Sequence, residues 1–153
     1  MKPKPYLTTQ ANFKEFMREC EFWIDFFGLK EWDIHFRHDG SKDCYACAYP
    51  DCSSRVAIVN LSPDWSETKP TLPRIRKYAF HEVCEVMLYK LSRFPIEEIR
   101  KKLNMKQKAN KQFIKTLEDE TEEIKHILLG LFENTIWKPM YVKRFKRKIK
   151  PEE

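Results

Sequence analysis

Glycine is scarce in this chain of 153 residues, which contains only Gly28, Gly40 and Gly130. Phosphate-binding loops, dinucleotide-binding turns and the nucleophile elbow of serine hydrolases all need glycines at close spacing, because the backbone must turn sharply or approach a ligand there. Three isolated glycines do not supply such a turn. The sequence therefore lacks the usual signals of ATP, NAD and hydrolase-serine chemistry.

Long apolar runs are also missing. No segment approaches the roughly 20 apolar residues of a membrane span. No apolar stretch follows the charges of the first six residues, so we expect no signal peptide and no membrane association. The five cysteines are an odd number without a secretory context. They predict reduced thiols and a cytoplasmic location.

Three of these cysteines have the spacing Cys44-x2-Cys47-x4-Cys52, which suggests a zinc ribbon. If they lie on a strand, however, Cys44 and Cys47 point to opposite faces. No second cysteine pair follows in the sequence. We therefore expect these residues to be small, partly buried strand residues rather than metal ligands.

The composition is that of a folded domain, with 42% hydrophobic, 14% aromatic and 34% charged residues. The net charge of +6 is concentrated at the C-terminus. Residues 138–153 carry 7 basic and 2 acidic side chains, or +5, which leaves +1 for the rest of the chain. We predict a single domain over residues 1–137 and a basic tail over 138–153. Residues 138–150 of this tail are candidates for contacts with nucleic acid or an acidic partner.

Apolar periodicity predicts the fold class. Helical spacing between Thr9 and Phe27 ends at Gly28, and strict alternation in "WDIHFRH" indicates a half-buried strand. Two more strands, "CYACAY" and "RVAIVNL", are separated by a turn predicted around Pro50 and Asp51. Helices are then predicted at about 71–91, after Pro95, and at about 107–136. The order indicates an α+β fold with an N-terminal helix, a small three-stranded sheet, a motif helix and a long C-terminal helix.

The motif helix contains the sequence "HEVCEVML", His81 to Leu88. His81 and Glu85 are four residues apart and lie on one helix face. An imidazole and a carboxylate are both zinc ligands. Glu82 lies about 100° further round the helix and has the position of a general base that accepts a proton from the attacking water. The alternative is a solvated helix face, but the apolar flanks predict a largely buried helix, where charged residues need partners or a metal.

A third ligand has to come from elsewhere, and the last helix offers "EDETEEIKH". Glu123 and His126 are three residues apart and share a flank. Glu120 lies nearest to an apolar stripe, so periodicity alone favours Glu120 as the inward carboxylate. The stripe consists of Phe113, Leu117, Ile124, Ile127 and Leu131. The alternative for most of the acidic cluster is a solvent-exposed face.

The segments "RIRKYAFHEVCEVML" and "KHILLGLFENTIW" resemble the small zinc metallopeptidases encoded in phage genomes, which are minimal zincins. The resemblance covers roughly residues 10–137. It implies one Zn²⁺ ion bound by His81, a base at Glu82 and a further ligand at His126 or Glu123. The family usually has H-E-x-x-H, and this chain departs from it at Glu85, which makes the motif H-E-x-x-E.

The resemblance implies that the protein hydrolyses peptide bonds with metal-activated water, acting on a peptide or protein substrate in the cytoplasm, which is the host cytoplasm for a phage protein. The extended segment Arg55–Leu61 directly precedes the motif helix, and in such an arrangement an exposed strand can pair with an extended substrate. The sequence leaves open which strand lies at the edge of the sheet. The alternative function is that of a catalytically silent zincin-like protein that binds a protein or nucleic-acid partner.

Overall fold

The computed structural model describes residues 6–40, 44–66 and 68–146. Helix α1 runs from Gln10 to Phe26. It begins at Thr9, whose hydroxyl accepts a hydrogen bond from the Asn12 backbone N–H at 3.2 Å, while Asn12 Oδ1 accepts one from the Thr9 N–H at 2.9 Å. This reciprocal pair satisfies two backbone donors that the first turn leaves open. Gly28 follows the helix at φ 67°, a left-handed conformation that glycine adopts without strain.

The sheet has three strands, β1 (Asp33–Arg37), β2 (Ala46–Asp51) and β3 (Val56–Leu61). Their order is β1-β3-β2, with β3 parallel to β1 and antiparallel to β2. Both edges of β3 are therefore paired. The edge strand, which the sequence left open, is therefore not the one within Arg55–Leu61, because β3 is the central strand of this sheet.

The predicted turn at Pro50 and Asp51 is also wrong, because both residues belong to β2. The chain instead turns over residues 52–55, where Arg55 has φ 55°. The Ser62 N–H donates to the Tyr45 carbonyl at 2.9 Å. Hydrogen-bonded and non-hydrogen-bonded pairs alternate along an antiparallel ladder. Because Tyr45 and Ser62 form a hydrogen-bonded pair, Pro50 and its partner Ala57 form a non-hydrogen-bonded one. The backbone nitrogen of Pro50 therefore faces the open edge of β2. A proline is tolerated there because no ladder bond is lost.

The helices after the sheet are α2 (Leu72–Tyr89), α3 (Arg93–Lys102), α4 (Lys108–Phe132) and the short α5 (Lys138–Tyr141). Helix α5 lies between two π-helical turns, Glu133–Trp137 and Val142–Lys146, so the chain is helical without interruption from Lys108 to Lys146. The α+β fold class and the order of its main elements are confirmed. The short helix predicted after Pro95 begins earlier, at Arg93.

Contacts divide the chain into two units, Met1–Pro95 and Ile96–Glu153. The domain boundary predicted at residue 137 lies inside the helical run of the second unit, and the end of the basic tail, residues 147–153, lies outside the described residues. Within the described residues, no helix combines the length and the apolarity that crossing a membrane requires.

The first unit is built around the contact of α1 with α2 and of α2 with β2. Phe16 and Trp23 of α1 are almost fully buried, as is Phe80 of α2, and the Trp23 and Phe80 rings meet edge to face at 4.8 Å between centroids. The inward side chains of β3 (Ala57, Val59 and Leu61) are also fully buried. Burial of this apolar area holds the motif helix in place.

Cys44 and Cys47 form a disulfide. The prediction of reduced thiols on opposite faces of one strand is wrong for this pair, because β2 begins at Ala46 and Cys44 precedes it. The strand rule on side-chain direction therefore does not apply to Cys44. The other three cysteines, Cys20, Cys52 and Cys84, lie outside this disulfide, and Cys20 and Cys84 are buried.

Candidate metal centre

Helix α2 places four polar side chains along one side: Tyr78, His81, Glu82 and Glu85. They are neighbours because residues three and four apart lie next to each other on a helix surface. The adjoining face of α2, about 100° further round the helix, carries the fully buried Ala79, Val83 and Val86, which fix the rotation of the helix. The orientation of the polar side chains thus follows from the packing of the apolar face.

His81 and Glu85 are brought together by this spacing. The Nε2 atom of His81 is 3.6 Å from the Oε1 atom of Glu85, and the two side chains are 45% and 24% exposed. Two ligands about 2.1 Å from a tetrahedral zinc ion lie about 3.4 Å from each other. The separation therefore fits two donors of one zinc ion, with an imidazole and a carboxylate as the donor groups. With a protonated His81, the same separation is an ordinary ion pair.

Glu82 is the buried member of the set, with only 4% of its surface exposed. Its charge acts on groups of both α1 and α2. Burial is the largest cause that raises the pKa of the Cys20 thiol on α1, and Glu82 raises it further. Burial also raises the pKa of Tyr78, with further increases from Tyr45 and Glu82. The Glu82 carboxylate is thus close to a thiol and a phenol that both keep their protons at neutral pH.

Three aromatic side chains form a cluster beside Glu82 that the sequence analysis missed. The ring centroids of Tyr78 lie 5.9 Å from Tyr45 and 5.3 Å from Trp65, and Tyr45 and Trp65 are 5.0 Å apart. The Trp65 indole N–H donates to the Tyr45 carbonyl at 3.2 Å. The i,i+4 spacing of Tyr78 and Glu82 could have indicated from the sequence that Tyr78 lies next to Glu82. Tyr45 and Trp65 join the cluster only through tertiary contacts.

Cys84 lies inside the motif and is buried. Burial raises the pKa of its thiol, and the nearby Glu85 and Glu82 carboxylates raise it further. A buried thiol that stays protonated is a poor nucleophile. Cys84 therefore serves packing, in agreement with its position among the apolar residues of α2.

The acidic cluster of α4 lies in the second unit. Glu118 forms an ion pair with Arg100 of α3, and Glu122 forms one with Lys125 at 2.7 Å. Glu120 is exposed, together with four residues of its apolar stripe, namely Phe113, Ile124, Ile127 and Leu131. The expectation that Glu120 points inward is wrong, because the stripe next to it is itself exposed.

Glu123 and His126 are both exposed on α4. The His126 Nδ1 atom is 2.7 Å from the Glu122 carbonyl oxygen. Because a carbonyl can only accept, Nδ1 carries the hydrogen, and the lone pair of the neutral ring is on Nε2. Histidine ligands of metals are usually oriented by such a bond from the other ring nitrogen. In the neutral ring of His126, Nε2 is thus the nitrogen that could bind a metal.

The donor pair of α2 fits zinc in chemistry and in separation, but it is incomplete as a catalytic site, which uses three protein ligands. Across residues 6–40, 44–66 and 68–146, no group of three or more His, Cys, Asp or Glu side chains is arranged to hold a metal ion. No protein-family model matches this chain, and neither a curated protein nor a solved structure matches it.

Proposed function

We propose that the protein is a zinc-dependent peptidase whose metal ligands include His81 and Glu85 and whose general base is Glu82. The observation that carries the proposal is the 3.6 Å separation of the His81 and Glu85 donor atoms, one turn apart on a helix that also holds the buried Glu82. This is the donor spacing of two zinc ligands next to a carboxylate in a water-poor setting.

The roles of the three side chains follow from their chemistry. His81 offers the nitrogen donor and Glu85 the oxygen donor. A zinc ion held there would lower the pKa of a bound water molecule and polarise the carbonyl of the substrate. Glu82 accepts the proton of the attacking water on a carboxylate oxygen and returns it to the leaving amine. The protonated Tyr78 is near Glu82 and can donate a hydrogen bond to it.

A peptide substrate would be held by the open edge of β2, the strand that contacts the motif helix. By the alternation of the ladder, the N–H and C=O groups of Ala46 and Ala48 point to this edge. An extended peptide that pairs there would add a strand to the sheet. This replaces β3, whose two edges are occupied, as the strand that pairs with substrate.

The decisive experiment is the zinc content of the full chain purified without chelators. We expect about one zinc ion per chain and a strong loss in His81→Ala, because the remaining carboxylates suit harder cations than zinc. The matched control is His35→Ala. His35 is also a half-exposed histidine beside a carboxylate, Asp33 at 3.1 Å, in the same unit. Equal zinc content in both variants would remove His81 from the site.

The role of Glu82 is tested by Glu82→Gln, which keeps the shape of the side chain and cannot accept the proton. We expect zinc to be retained and peptide hydrolysis to be lost. Turnover by this variant would show that another group is the base. The predictions for Glu123 and His126 are tested in the same zinc assay with Glu123→Ala and His126→Ala.

Glu85 is tested by a competition titration with a chelator. Glu85→Ala should weaken zinc binding, and Glu85→His should preserve or strengthen it, because histidine restores a second imidazole at the i,i+4 position. If the wild type and both variants have the same affinity, Glu85 is not a ligand.

The lack of a three-ligand group in the described residues favours a second candidate, a catalytically silent zincin-like binding protein. The two functions differ in turnover. A protein that binds zinc through His81 and hydrolyses no member of a peptide library at neutral pH would support the silent binding protein.

A further inference from the structure

We propose that residues Trp137–Lys146 bind single-stranded nucleic acid, through stacking on a row of aromatic rings and through contacts of the neighbouring cations with phosphates. This proposal is independent of the zinc site. It rests on the arrangement of aromatic and basic side chains in the last helical segment of the second unit.

The aromatic row consists of Trp137, Tyr141 and Phe145, each four residues after the previous one. Trp137 and Tyr141 are stacked with their centroids 5.0 Å apart, and Tyr141 and Phe145 are 5.2 Å apart. All three rings are half-buried. The three rings are thus held in one line before any ligand binds. This preorganisation lowers the loss of side-chain conformational entropy when a base stacks on the row.

The first π-helical turn, which precedes α5, has a local cause. Asn134 and Thr135 donate side-chain hydrogen bonds to the carbonyls of Gly130 and Leu131, at 2.9 and 2.8 Å. Pro139 has no N–H to offer to the preceding turn. Both features disturb the regular α-helical hydrogen bonds of these backbone groups, and the helix is wider in the turn before α5. Single π-helical turns are often found at functional sites.

The cations lie among these rings. Residues 134–146 contain four basic side chains and no acidic one. The Arg144 guanidinium lies over the Phe145 ring, 4.7 Å from its centroid, and Lys143 and Lys146 are exposed on either side. A guanidinium that stacks on a ring still presents N–H donors to a phosphate at its edge. The charge pattern therefore complements a phosphate backbone that runs along the row.

An anionic membrane surface is the less suitable partner. Helices that lie in a membrane surface insert exposed Trp, Phe and Leu side chains on one face and keep their cations on the other. In residues 133–146, all of which are described, Val142 is the only large apolar side chain with high exposure, at 45%. Here the aromatic rings are interleaved with cations, and single-strand binding sites combine the same two kinds of side chain.

The test measures anisotropy of a fluorescent oligo-dT strand with the full chain at several salt concentrations. The triple variant Lys143→Gln/Arg144→Gln/Lys146→Gln should lower the affinity at least about tenfold. It should also reduce the slope of log affinity against log salt by about 2, since each phosphate contact on a single strand contributes about 0.7. The matched control, Lys106→Gln/Lys108→Gln/Lys111→Gln, makes the same change in charge at the start of α4, and we expect it to bind like the wild type.

The aromatic part is tested with Tyr141→Leu and its conservative partner Tyr141→Phe. Tyr141→Leu should weaken oligo-dT binding by about tenfold, the lower range for loss of one stacked base, and Tyr141→Phe should keep it. Neither variant should alter binding to polyglutamate, which has charge but no bases. Any of three results would overturn the proposal. The two triple variants could lose the same affinity, or the two Tyr141 variants could bind oligo-dT equally well. The protein could also bind polyglutamate or anionic vesicles more tightly than oligo-dT.

Discussion

The two units of the chain differ in how they bury their apolar side chains. Among the residues that the structure describes, the first unit contains fifteen of the eighteen buried hydrophobic residues, and the second contains Ile96, Ile114 and Leu129. In the second unit, large apolar side chains such as Ile124 and Ile127 are 57% and 64% exposed. The motif helix therefore belongs to a unit with a core of its own, whereas the second unit depends on one long helix with little core.

This difference has a functional consequence. A catalytic or metal-binding side chain keeps its geometry only if the element that carries it is held by packing. His81, Glu82 and Glu85 meet this condition, because the adjoining apolar face of α2 is fully buried. The aromatic row of the second unit needs less support from a core, because its rings pack against each other along the helix.

The largest expected effect comes from removing a core ring. Phe16 is fully buried in α1, and Phe16→Ala should lower the free energy of unfolding of the first unit by about 3–5 kcal/mol. Phe113 of α4 is 51% exposed, and Phe113→Ala should cost less than about 1 kcal/mol. Urea unfolding reports the first change through tryptophan fluorescence and the second through the helical signal in circular dichroism. Equal costs would mean that the second unit has a hidden apolar partner in solution.

The next effect concerns the ion pair between α1 and α2. Arg76 Nε donates to Glu15 Oε1 at 2.5 Å, and both side chains are only 12% exposed. Burial alone would raise the pKa of Glu15, but hydrogen bonds from Arg76 and Arg18 outweigh it and hold the pKa below its ordinary value of 4.5. Glu15→Gln should therefore cost about 2 kcal/mol at neutral pH, as for a hydrogen bond between charged groups.

The pH dependence of this effect has a definite sign. A carboxylate with a lowered pKa contributes its full stability above the pKa of the unfolded chain, and this contribution is lost as the pH falls through the folded value. The difference in stability between wild type and Glu15→Gln should therefore shrink below about pH 4.5. The matched control is Glu118→Gln in the second unit. Its partner Arg100 is 44% exposed and Glu118 is 34% exposed, so the cost should stay below about 1 kcal/mol at every pH.

Local signals predicted much of this fold. The Thr9 cap and Gly28 bracket α1, and the alternation from Trp32 predicts β1, because capping and side-chain period depend on neighbours in sequence. The proximity of His81 and Glu85 follows from helix geometry in the same way. These features need no knowledge of the tertiary fold.

The features that the sequence predicts wrongly depend on contacts that local pattern does not determine. The parallel pairing that makes β3 the central strand joins segments distant in sequence. The exposure of Glu120 depends on what packs against α4, and periodicity identifies an apolar stripe without saying whether it is covered. Pro50 was interpreted as a turn residue, yet it lies in β2 because its missing N–H faces the open edge.

The smallest expected effect compares the helix starts of the two units. The hydroxyl of Thr9 caps α1, whereas Gln107 precedes α4 without a side-chain cap. Thr9→Ala should cost about 1 kcal/mol, because it removes the acceptor for the Asn12 N–H. Gln107→Asp should instead stabilise α4 by a few tenths of a kcal/mol, since a carboxylate can cap the first turn and interacts favourably with the helix dipole.

Thermal unfolding followed by circular dichroism measures both changes, and Gln107→Asn separates the cap from the charge. If Gln107→Asn stabilises as much as Gln107→Asp, the gain comes from capping, and if only Gln107→Asp stabilises, it comes from the dipole. A destabilising Gln107→Asp would contradict the comparison. It would mean that the hydrogen bond from Asn110 Nδ2 to Gln107 Oε1, at 3.3 Å, already does the work of a cap.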